Sequence, residues 1–590
     1  MQLVRRFRLP AVFCALAVLV CELIARPYAN MGICDDGPYI IMVQHLAATG
    51  HIAYNGWAAP MLGWQLYLGA AFIKLFGFSF TSIRMSNVLV AMALAFVLQR
   101  TLVRAGINER NATFGTLALV LSPLYLMLSA TFMTDITGLF AVVICLYGCL
   151  RALQTSASPS SSDRSVIAWL CFAVATNALC GTSRQIAWLG LLVMVPSTLW
   201  LLRARRRVLF AGAAATLAGA LFIFACMQWL KHQSYLIPEH LFVHSLPVAH
   251  TLAAIAYLFA DIPFLLLPLA AIFLLEIRRS RPRVLALIAA VSIAYLLLAL
   301  HWRHLHPNLL LEPTMRDWVN IYGTFEGSDL PGRPLIFISQ ATQIVITIVC
   351  FGGVMGLLAS LFAPHQQERQ TVASKLTSDA ASVAPSTPIS WKQLGVLLLP
   401  FTAAYTLLLF PRAADVVIYD RYALALLVIA VLCLVRYYQQ RIEPRLPLSL
   451  VAFIALVAVC GVAMTHNTFA LYRARAALAA ELRANGVPDT SVDNGWEYNN
   501  SVEIHQAGHI NDPSIVTPAH AYVPVAPPST DTCFLHGYFA FPHIHPIYGI
   551  SFTPNACHGP APFAPVHYSR WPYPTPGTLY VIRYIRPAKP

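Results

Sequence analysis

Residues 5–39 read RRFRLPAVFCALAVLVCELIARPYANMGICDDGPY. Leu9–Ala25 is an uninterrupted apolar stretch that follows three arginines, and a helix that spans a bilayer needs about 20 predominantly apolar residues. The next residues, Arg26-Pro27-Tyr28, do not form the small-residue site at which a signal peptide is cleaved. The stretch therefore predicts a retained first transmembrane helix whose N-terminus lies in the cytoplasm.

The composition of the whole chain is that of an integral membrane protein. Of its 590 residues, 58% are hydrophobic and only 11% are charged, whereas a soluble domain carries about a quarter charged residues. The net charge of +14 comes from short basic clusters between apolar runs, such as those at 203–207 and 278–283. This is the positive-inside pattern of cytoplasmic loops. We expect membrane lipids among the partners of the chain and no nucleic acid.

The alternation of apolar runs and basic loops predicts about thirteen transmembrane helices. Each loop that this count places in the cytoplasm carries at least two basic residues. Nine of the predicted spans have defined limits, and the fourth, fifth, sixth and twelfth lie between them. The nine are 9–25, 83–98, 112–128, 208–230, 252–275, 284–300, 335–362, 394–410 and 446–464.

Three regions complete the predicted organisation around a transmembrane domain at 1–465. Residues 27–82 would form interfacial helices, because a span at 61–76 would place the basic cluster at 100–110 outside. The polar stretch 363–392 predicts a flexible cytoplasmic loop. Residues 466–590, rich in Pro, His and aromatic residues, predict a small α/β domain in the periplasm.

The predicted periplasmic domain contains two of the thirteen cysteines, Cys533 and Cys557. On the extracytoplasmic side they could form a disulfide, and the sequence is equally compatible with two free thiols. The histidines of this domain are not spaced like the ligands of a zinc site.

Three carboxylates lie on the same predicted side of the membrane. Asp35 and Asp36 follow the first helix, and Asp135 lies in a short turn that is otherwise apolar. For each of them the alternative is an ordinary loop carboxylate that is exposed to water and has no function. Asp135 indicates a functional site more strongly, because a carboxylate in apolar surroundings is costly unless it has a partner or a role.

Four motifs, taken in this order, resemble those of one superfamily. They are Cys34-Asp35-Asp36-Gly37-Pro38-Tyr39, the segment from Phe76-Gly77 to Ile83-Arg84-Met85, Phe132-Met133-Thr134-Asp135, and Asp420-Arg421-Tyr422-Ala423-Leu424. Together they resemble the GT-C glycosyltransferases, in the branch of the protein O-mannosyltransferases and the aminoarabinose transferases (ArnT-like). The resemblance implies about thirteen helices and an extracytoplasmic C-terminal domain.

The resemblance also implies a reaction. A sugar would pass, with inversion, from a polyprenyl-phosphate donor to an extracytoplasmic acceptor at the cell inner membrane. Asp35 would act as general base on the acceptor hydroxyl, and Asp135 would orient the acceptor or Asp35. The catalytic candidates are Asp35, Asp36 and Asp135, and the candidates for binding the donor phosphate are Arg184, Arg421, Arg84 and Arg316.

The chain departs from the family pattern in its first outer loop. The family has a basic residue before a Pro-Pro pair that is associated with the lipid phosphate, and this chain has Ala58-Ala59-Pro60. Another cation must serve, or the carrier is bound differently. The second acidic residue is Asp36 where the family usually has Glu.

Several alternatives stay open at this stage. The acceptor could be a lipid, a glycan or a protein, the sugar is undefined, and no cofactor is certain, although a divalent metal is possible. A lipid or glycan transporter or flippase is a second hypothesis. The absence of an internal repeat in the sequence and the position of the acidic residues at one face of the membrane argue against it. A glycan polymerase or ligase would place its chemistry in a late outer loop such as 301–334. A receptor or scaffold without catalysis is a fourth reading.

Overall fold

The computed structural model describes residues 8–57, 63–158, 160–237, 247–302, 311–315, 317–324, 329–362, 389–415, 418–527, 533 and 537–585. Three features of the sequence therefore lie outside or mostly outside the described residues. They are Ala58-Ala59-Pro60, Arg316 and the predicted cytoplasmic loop 363–392, of which only 389–392 are described.

Helices make up most of the described chain. In order they are α1 Leu9–Ala25, α2 Asp36–Thr49, α3 Trp64–Phe76, α4 Phe80–Arg104, α5 Glu109–Val120, α6 Pro123–Ser129, α7 Thr134–Ala157, α8 Asp163–Cys180, α9 Val195–Leu201, α10 Arg206–Lys231, α11 Val248–Leu265, α12 Leu267–Ala271, α13 Leu274–Arg278, α14 Pro282–Trp302, α15 Gln340–Leu361, α16 Trp391–Asp415, α17 Leu424–Arg441, α18 Ser449–Ala484 and α19 Gly495–Ala507.

The chain is a polytopic helical membrane protein. Within the described residues, nine helices are long and apolar enough to cross a membrane, and a bent pair, Glu109–Val120 with Pro123–Ser129, would make a tenth. Three shorter apolar helices, Leu9–Ala25, Gln185–Leu201 and Pro282–Leu297, coincide with further predicted spans. Nine or ten spans are therefore supported by length and composition, and the number thirteen stays a prediction.

The bent pair has a local cause. The axes of α5 and α6 differ by 70°. Pro123 is the first residue of α6, and a proline has no backbone N–H with which to continue the helix before it. The Ser122 hydroxyl accepts a hydrogen bond from the backbone N–H of Tyr125, so it caps the new helix.

A second break, after α8, places polar residues at one end of the helix bundle. The chain forms a 3₁₀ turn at Gly181–Ser183, another at Gln185–Trp188 and a π-helical turn at Gly190–Met194. Side chains satisfy the freed carbonyl groups: the Trp64 indole donates to the Cys180 carbonyl (2.9 Å) and the Asn177 amide donates to that of Ala187 (3.0 Å). Such a break inside a membrane domain is stable only where protein groups satisfy the backbone.

The C-terminal part is small and of mixed α/β structure, as the sequence predicts. Its strands are β3 Val492–Asp493, β4 Tyr548–Ser551, β5 Val566–Tyr568 and β6 Gly577–Arg583, and two short strands, β1 Val319–Asn320 and β2 Gly323–Thr324, precede them in the chain. The sheet has the order β3-β4-β6-β5, in which β3 pairs parallel with β4 and the other pairs are antiparallel. Leu579 and Val581 of β6 are buried, which gives the alternation of a half-buried strand.

Helix α18 runs across the predicted domain boundary at 465/466. The last predicted span ends at residue 464, but Ser449–Ala484 is one continuous 36-residue helix. The reason is that no Gly or Pro interrupts residues 465–484. The last transmembrane helix therefore carries the C-terminal domain directly.

Two sets of contacts hold the C-terminal domain on the helix bundle. The His466 ring of α18 stacks on Trp571 at 3.8 Å between centroids, and the Asn467 side chain makes hydrogen bonds of 2.8 and 2.7 Å to the Trp571 backbone. On the other side, the backbone N–H of Ile510 donates to the Asn55 carbonyl (2.9 Å) and that of Tyr235 donates to the Thr517 carbonyl (2.6 Å), while the N–H of Gly56 ties the first loop to the Tyr235 carbonyl (2.8 Å). We call this second set, at 55–56, 235 and 510, the seam.

The structure also resolves the alternative for the two late cysteines, because Cys533 and Cys557 are joined by a disulfide with a Cα–Cα distance of 5.8 Å. Disulfides persist in oxidising compartments and are rare in the cytosol. The pairing agrees with the predicted extracytoplasmic position of the domain.

We expect the full-length protein, unfolded in SDS after extraction from native membranes, to gain two maleimide mass tags when a reductant is added, because only reduction frees Cys533 and Cys557. The measurement is the gel shift with and without reductant. A variant with both cysteines changed to Ser should show no gain. An equal number of tags on the wild-type protein under both conditions would contradict the disulfide.

Candidate functional site

Asp35 lies where the segment after α1 turns into α2. Its neighbour Cys34 has a left-handed backbone with φ of 54°, which is uncommon for a residue other than glycine. The Asp35 side chain is 24% exposed, and both Nη atoms of Arg421 lie 3.3 Å from its Oδ2. Burial raises the pKa of Asp35 above its usual value, and the charge of Arg421 lowers it in opposition.

Asp135 lies in the first turn of α7, where a helix N-terminus favours a negative charge. Its side chain is 1% exposed, and its Oδ1 accepts a hydrogen bond of 2.6 Å from Arg184 Nη1. Its Oδ2 lies 3.8 Å from Arg421 Nη1. Gly138, one turn later, leaves room for this contact, since a Cβ at that position would lie 2.8 Å from Arg184 Cδ.

Arg421 therefore joins the two predicted catalytic carboxylates. It lies in a 3₁₀ turn, Asp420–Ala423, directly before α17, and its side chain is 8% exposed. Its guanidinium lies 4.8 Å from the centre of the Tyr419 ring and 5.2 Å from that of Trp318. These aromatic faces hold the cation away from water.

A cavity of about 420 Å³ opens beside this network, a volume typical of small-molecule sites. Both the helix bundle and the C-terminal domain line it. The charged and aromatic lining residues are Asp35, Tyr39, Trp57, Arg184, Tyr405, Arg412, Tyr419, Arg421, Tyr422, Trp496, Asp512 and Phe539. Asp135 is not part of this lining and lies in a smaller pocket of about 20 Å³, which Arg184 and Arg421 also line.

Arg412 is a cavity residue that the sequence analysis missed. It lies in the last turn of α16, and among the described residues it makes no hydrogen bond or ion pair. The predicted eleventh span ended at residue 410, so an arginine just beyond it resembled an ordinary interfacial residue. Asp415, three residues later in the sequence, offered a plain partner for it, so nothing in the sequence marked Arg412 as a site residue.

The other two predicted site residues are paired with each other, away from the cavity lining. Arg84 and Asp36 are 1% and 0% exposed, with 2.7 Å between Arg84 Nε and Asp36 Oδ2. Arg84 also donates to the carbonyls of Ala29 (2.9 Å) and Met31 (2.7 Å), and Asp36 accepts from the backbone N–H of Ile33 (2.7 Å). The pair thus holds the segment before α2, including the left-handed Cys34, against α4.

Two further carboxylates, Asp317 and Asp420, surround Arg421, and neither is among the predicted site residues. Asp420 is buried, and its Oδ2 accepts from the backbone N–H of Val319 at 2.8 Å. Burial raises the pKa of Asp317 to about 7, while Arg421 lowers it and Asp35 adds a smaller rise. These residues bring the loop before β1 against the site.

No group of three or more His, Cys, Asp and Glu side chains in the described part of the chain is arranged to hold a metal ion. The possible divalent metal stays a prediction.

Residues 58–232 match the sequence profile of the family described as dolichyl-phosphate-mannose-protein mannosyltransferase (PMT_2). The resemblance seen in the sequence is confirmed. Over this segment the chain is similar to membrane glycosyltransferases of the GT-C type. No curated protein matches its sequence.

Three solved structures are similar to the chain at low identity. ArnT from Cupriavidus metallidurans bound to undecaprenyl phosphate is 15% identical with a TM-score of 0.38, over 82% of this chain and 83% of that chain. The S. cerevisiae protein O-mannosyltransferase Pmt1-Pmt2 complex bound to the sugar donor gives 15% and 0.30, over 37% and 32%. The oligosaccharyltransferase AglB from Archaeoglobus fulgidus gives 15% and 0.41, over 90% and 64%. The resemblance to glycosyltransferases rests on the sequence match of residues 58–232 and not on these superpositions.

The two adjacent aspartates should differ sharply in what they do for stability. Asp36→Asn leaves Arg84 buried without its counter-charge, which costs about 3–5 kcal/mol in buried ion pairs. We expect a lower yield and a clearly lower midpoint of thermal unfolding in detergent. Asp35→Asn is the matched control and should lose much less, because Arg421 keeps Asp135 as a partner. An equal loss for the two variants would contradict the structural role of Asp36.

Proposed function

We propose that this glycosyltransferase moves a sugar from a polyprenyl-phosphate donor to a hydroxyl group of an acceptor, with inversion, on the extracytoplasmic side of the inner membrane. The observation that carries the proposal is one cavity lined by the partly exposed carboxylate of Asp35 and by three arginines, Arg184, Arg412 and Arg421.

The charges of this site support a phosphate ligand. In the lining of the cavity the three arginines outnumber the two carboxylates, Asp35 and Asp512, and Asp135 lies behind Arg184 and Arg421. As the bond between sugar and phosphate breaks, negative charge grows on the leaving phosphate, and fixed cations in a site shielded from water stabilise it best. Guanidinium groups suit this task because their N–H donors match phosphate oxygens in pairs.

Arg412 supplies the cation that the first outer loop lacks. The family's basic residue is absent from Ala58-Ala59-Pro60. Arg412 lines the same cavity as Arg184 and Arg421, so its guanidinium can reach a phosphate that is bound there. Arg184 and Arg421 must share their donors with Asp135 and Asp35.

Asp35 is the general base in this proposal. The acceptor oxygen attacks the anomeric carbon from the face opposite the phosphate, its proton passes to Asp35, and the bonding electrons of the sugar–phosphate bond go to the phosphate. Before the donor binds, Arg421 neutralises Asp35. A bound phosphate would compete for Arg421 and so make Asp35 more basic when the donor is in place.

The remaining predicted residues act through these groups. Asp135 is a positioning residue, because it holds Arg184 and lies close to Arg421 without lining the main cavity. We infer that Asp36 and Arg84 support Asp35 through the backbone between them and do not contact substrate. The positive-inside pattern and the disulfide support the extracytoplasmic position of the cavity.

Asp35→Asn should abolish transfer while the protein stays folded, because an amide cannot take the acceptor proton. Removal of a general base costs about 10²–10⁴-fold in rate. The measurement is transfer of radiolabelled sugar from the lipid-linked pool in membranes, with expression and thermal unfolding recorded in parallel. Asp489→Asn, a change of the same kind at a surface residue that pairs with Arg483 and does not line the cavity, should retain far more activity. Full activity of Asp35→Asn would remove Asp35 from the mechanism.

The acid side of the pH profile should report the same group. The base must be ionised, so kcat/KM should fall as the pH decreases through the pKa of Asp35, which burial raises above its usual value. We therefore expect an acid limb above about pH 4. Asp317→Asn should keep this limb, which separates Asp35 from the neighbouring carboxyl with a pKa of about 7. A limb that disappears in Asp317→Asn would assign the titration to Asp317.

A further inference from the structure

The cavity has two halves of different chemistry. One half carries the arginines, and the other is built from the first loop and the C-terminal domain. This second half, which we call the aromatic wall, consists of Trp57, Trp496, Ile510, Asp512 and Phe539. Trp57 and Trp496 are half-buried and Phe539 is 45% exposed, so each can present ring surface to a ligand.

From this wall, and on the basis of the proposed function, we infer that the acceptor presents a sugar ring, which packs on Trp496 and Phe539 while one of its hydroxyl groups reaches Asp35. The chemical class of the acceptor is therefore a carbohydrate, either a free glycan or the head group of a glycolipid.

The position of the reacting groups leads to the wall. An acceptor hydroxyl must come within about 2.6–3.2 Å of the base that takes its proton. The phosphate occupies the side of Asp35 on which the arginines lie. The body of the acceptor must then extend along the other side, over the aromatic wall.

The chemistry of the wall suits a sugar. A pyranose ring has flat faces of C–H groups and an edge of hydroxyl groups. Its faces pack on the flat, electron-rich faces of aromatic rings, and its hydroxyl groups need polar partners. Trp57, Trp496 and Phe539 supply the faces, and the Asp512 carboxylate supplies hydrogen-bond acceptors beside them. An alkyl chain would gain nothing from that carboxylate.

A peptide acceptor fits this surface less well. Extended peptides commonly bind by adding a strand to the edge of a sheet. Of the strands in the described chain, from β1 to β6, none contributes a residue to the cavity lining.

The neighbours of Trp496 hold this residue of the aromatic wall in one position. Gly537 has a left-handed backbone with φ of 70°, and a Cβ there would lie 2.3 Å from the Trp496 ring, so only glycine allows this ring position. Trp496 also packs on Phe541 at 4.9 Å between centroids. The next residue, Glu497, is buried and pairs with Arg475 at 2.9 Å. A side chain that is ordered before binding loses little entropy on binding.

The test uses the full-length protein in a detergent without a sugar head group. It is applied to an array of hexose, hexosamine, deoxyhexose and heptose oligosaccharides, printed both as free glycans and on lipid anchors, and to an array of Ser- and Thr-containing peptides. We expect retention on one or more glycans and not on peptides. Equal retention of both glycan forms indicates a free glycan, and retention of the anchored form alone indicates a glycolipid head group. Retention on peptides alone, or on neither array, would overturn the inference.

Variants separate the aromatic wall from the arginine side. Trp496→Ala and Phe539→Ala should each weaken binding of the retained glycan about tenfold or more, as the loss of buried aromatic contacts does. Both variants should leave unchanged the binding of farnesyl phosphate, a short polyprenyl phosphate that serves as the probe of the donor side. Arg412→Gln should weaken binding of farnesyl phosphate and leave binding of the glycan unchanged. Phe210→Ala, at an aromatic residue that is 71% exposed on α10, is the control for loss of a ring and should change neither.

These variants also distinguish the two proposals. Loss of farnesyl phosphate binding in Trp496→Ala would show a general disturbance and would contradict the division of the cavity. Glycan binding that survives both aromatic substitutions would overturn the inference and leave the proposed donor chemistry intact. Absence of farnesyl phosphate binding in the wild-type protein would overturn the proposed donor instead.

Discussion

The burial of Arg421 between two carboxylates constrains the geometry of the whole site. A guanidinium with 8% of its side chain exposed needs counter-charges and hydrogen-bond acceptors close to it. Asp35 comes from the segment after the first helix, Asp135 from the start of α7, and Arg421 from the turn before α17. Residues 35 and 421, which are 386 positions apart in the chain, must therefore meet at one point. The aromatic rings of Trp318, Tyr419 and Tyr422 close the space around them.

The same constraint explains the neighbouring pair. Asp36 and Arg84 are fully sequestered, and they hold the backbone in which Cys34 adopts a left-handed conformation. A strained residue persists only where its surroundings over-determine it. One aspartate thus fixes the turn, and the aspartate before it faces the cavity. The two carboxylates share one motif but lie in different electrostatic environments.

Much of the architecture could be predicted, because it depends on local signals. Apolar length and the side of the basic loops predict the spans, and Leu9–Ala25 is a helix with the predicted limits. The motifs brought Asp35, Asp135 and Arg421 forward as candidates, and the outer end of a predicted helix hairpin brought Arg184. These four are in one connected network. Which of Asp35 and Asp36 would face the cavity could not be predicted, since adjacent side chains in a turn diverge according to backbone angles that the motif does not encode.

The missed residues share one property: their importance comes from long-range contacts. Arg412 matters because α16 ends beside the cavity, and Trp496 and Phe539 matter because the C-terminal domain folds over it. No spacing rule in the sequence connects residue 35 with residues 412, 496 and 539. The continuity of α18 across residue 465 has another cause, because residues 465–484 contain no Gly or Pro, and the change in composition there does not end a helix.

The seam constrains how the C-terminal domain could be exchanged. The first loop donates and accepts main-chain hydrogen bonds with residues 235 and 510, so the edge of the C-terminal domain is registered on the membrane half by backbone groups. The loop still depends on its sequence, because Gly56 has φ of 79° and a Cβ there would lie 2.9 Å from the Ile510 carbonyl oxygen. A chimaera with a foreign C-terminal domain would therefore need glycine at position 56 and a partner for His466 and Asn467, as Trp571 is here. On the proposed division of the cavity, such an exchange would replace most of the aromatic wall and leave the arginines in place.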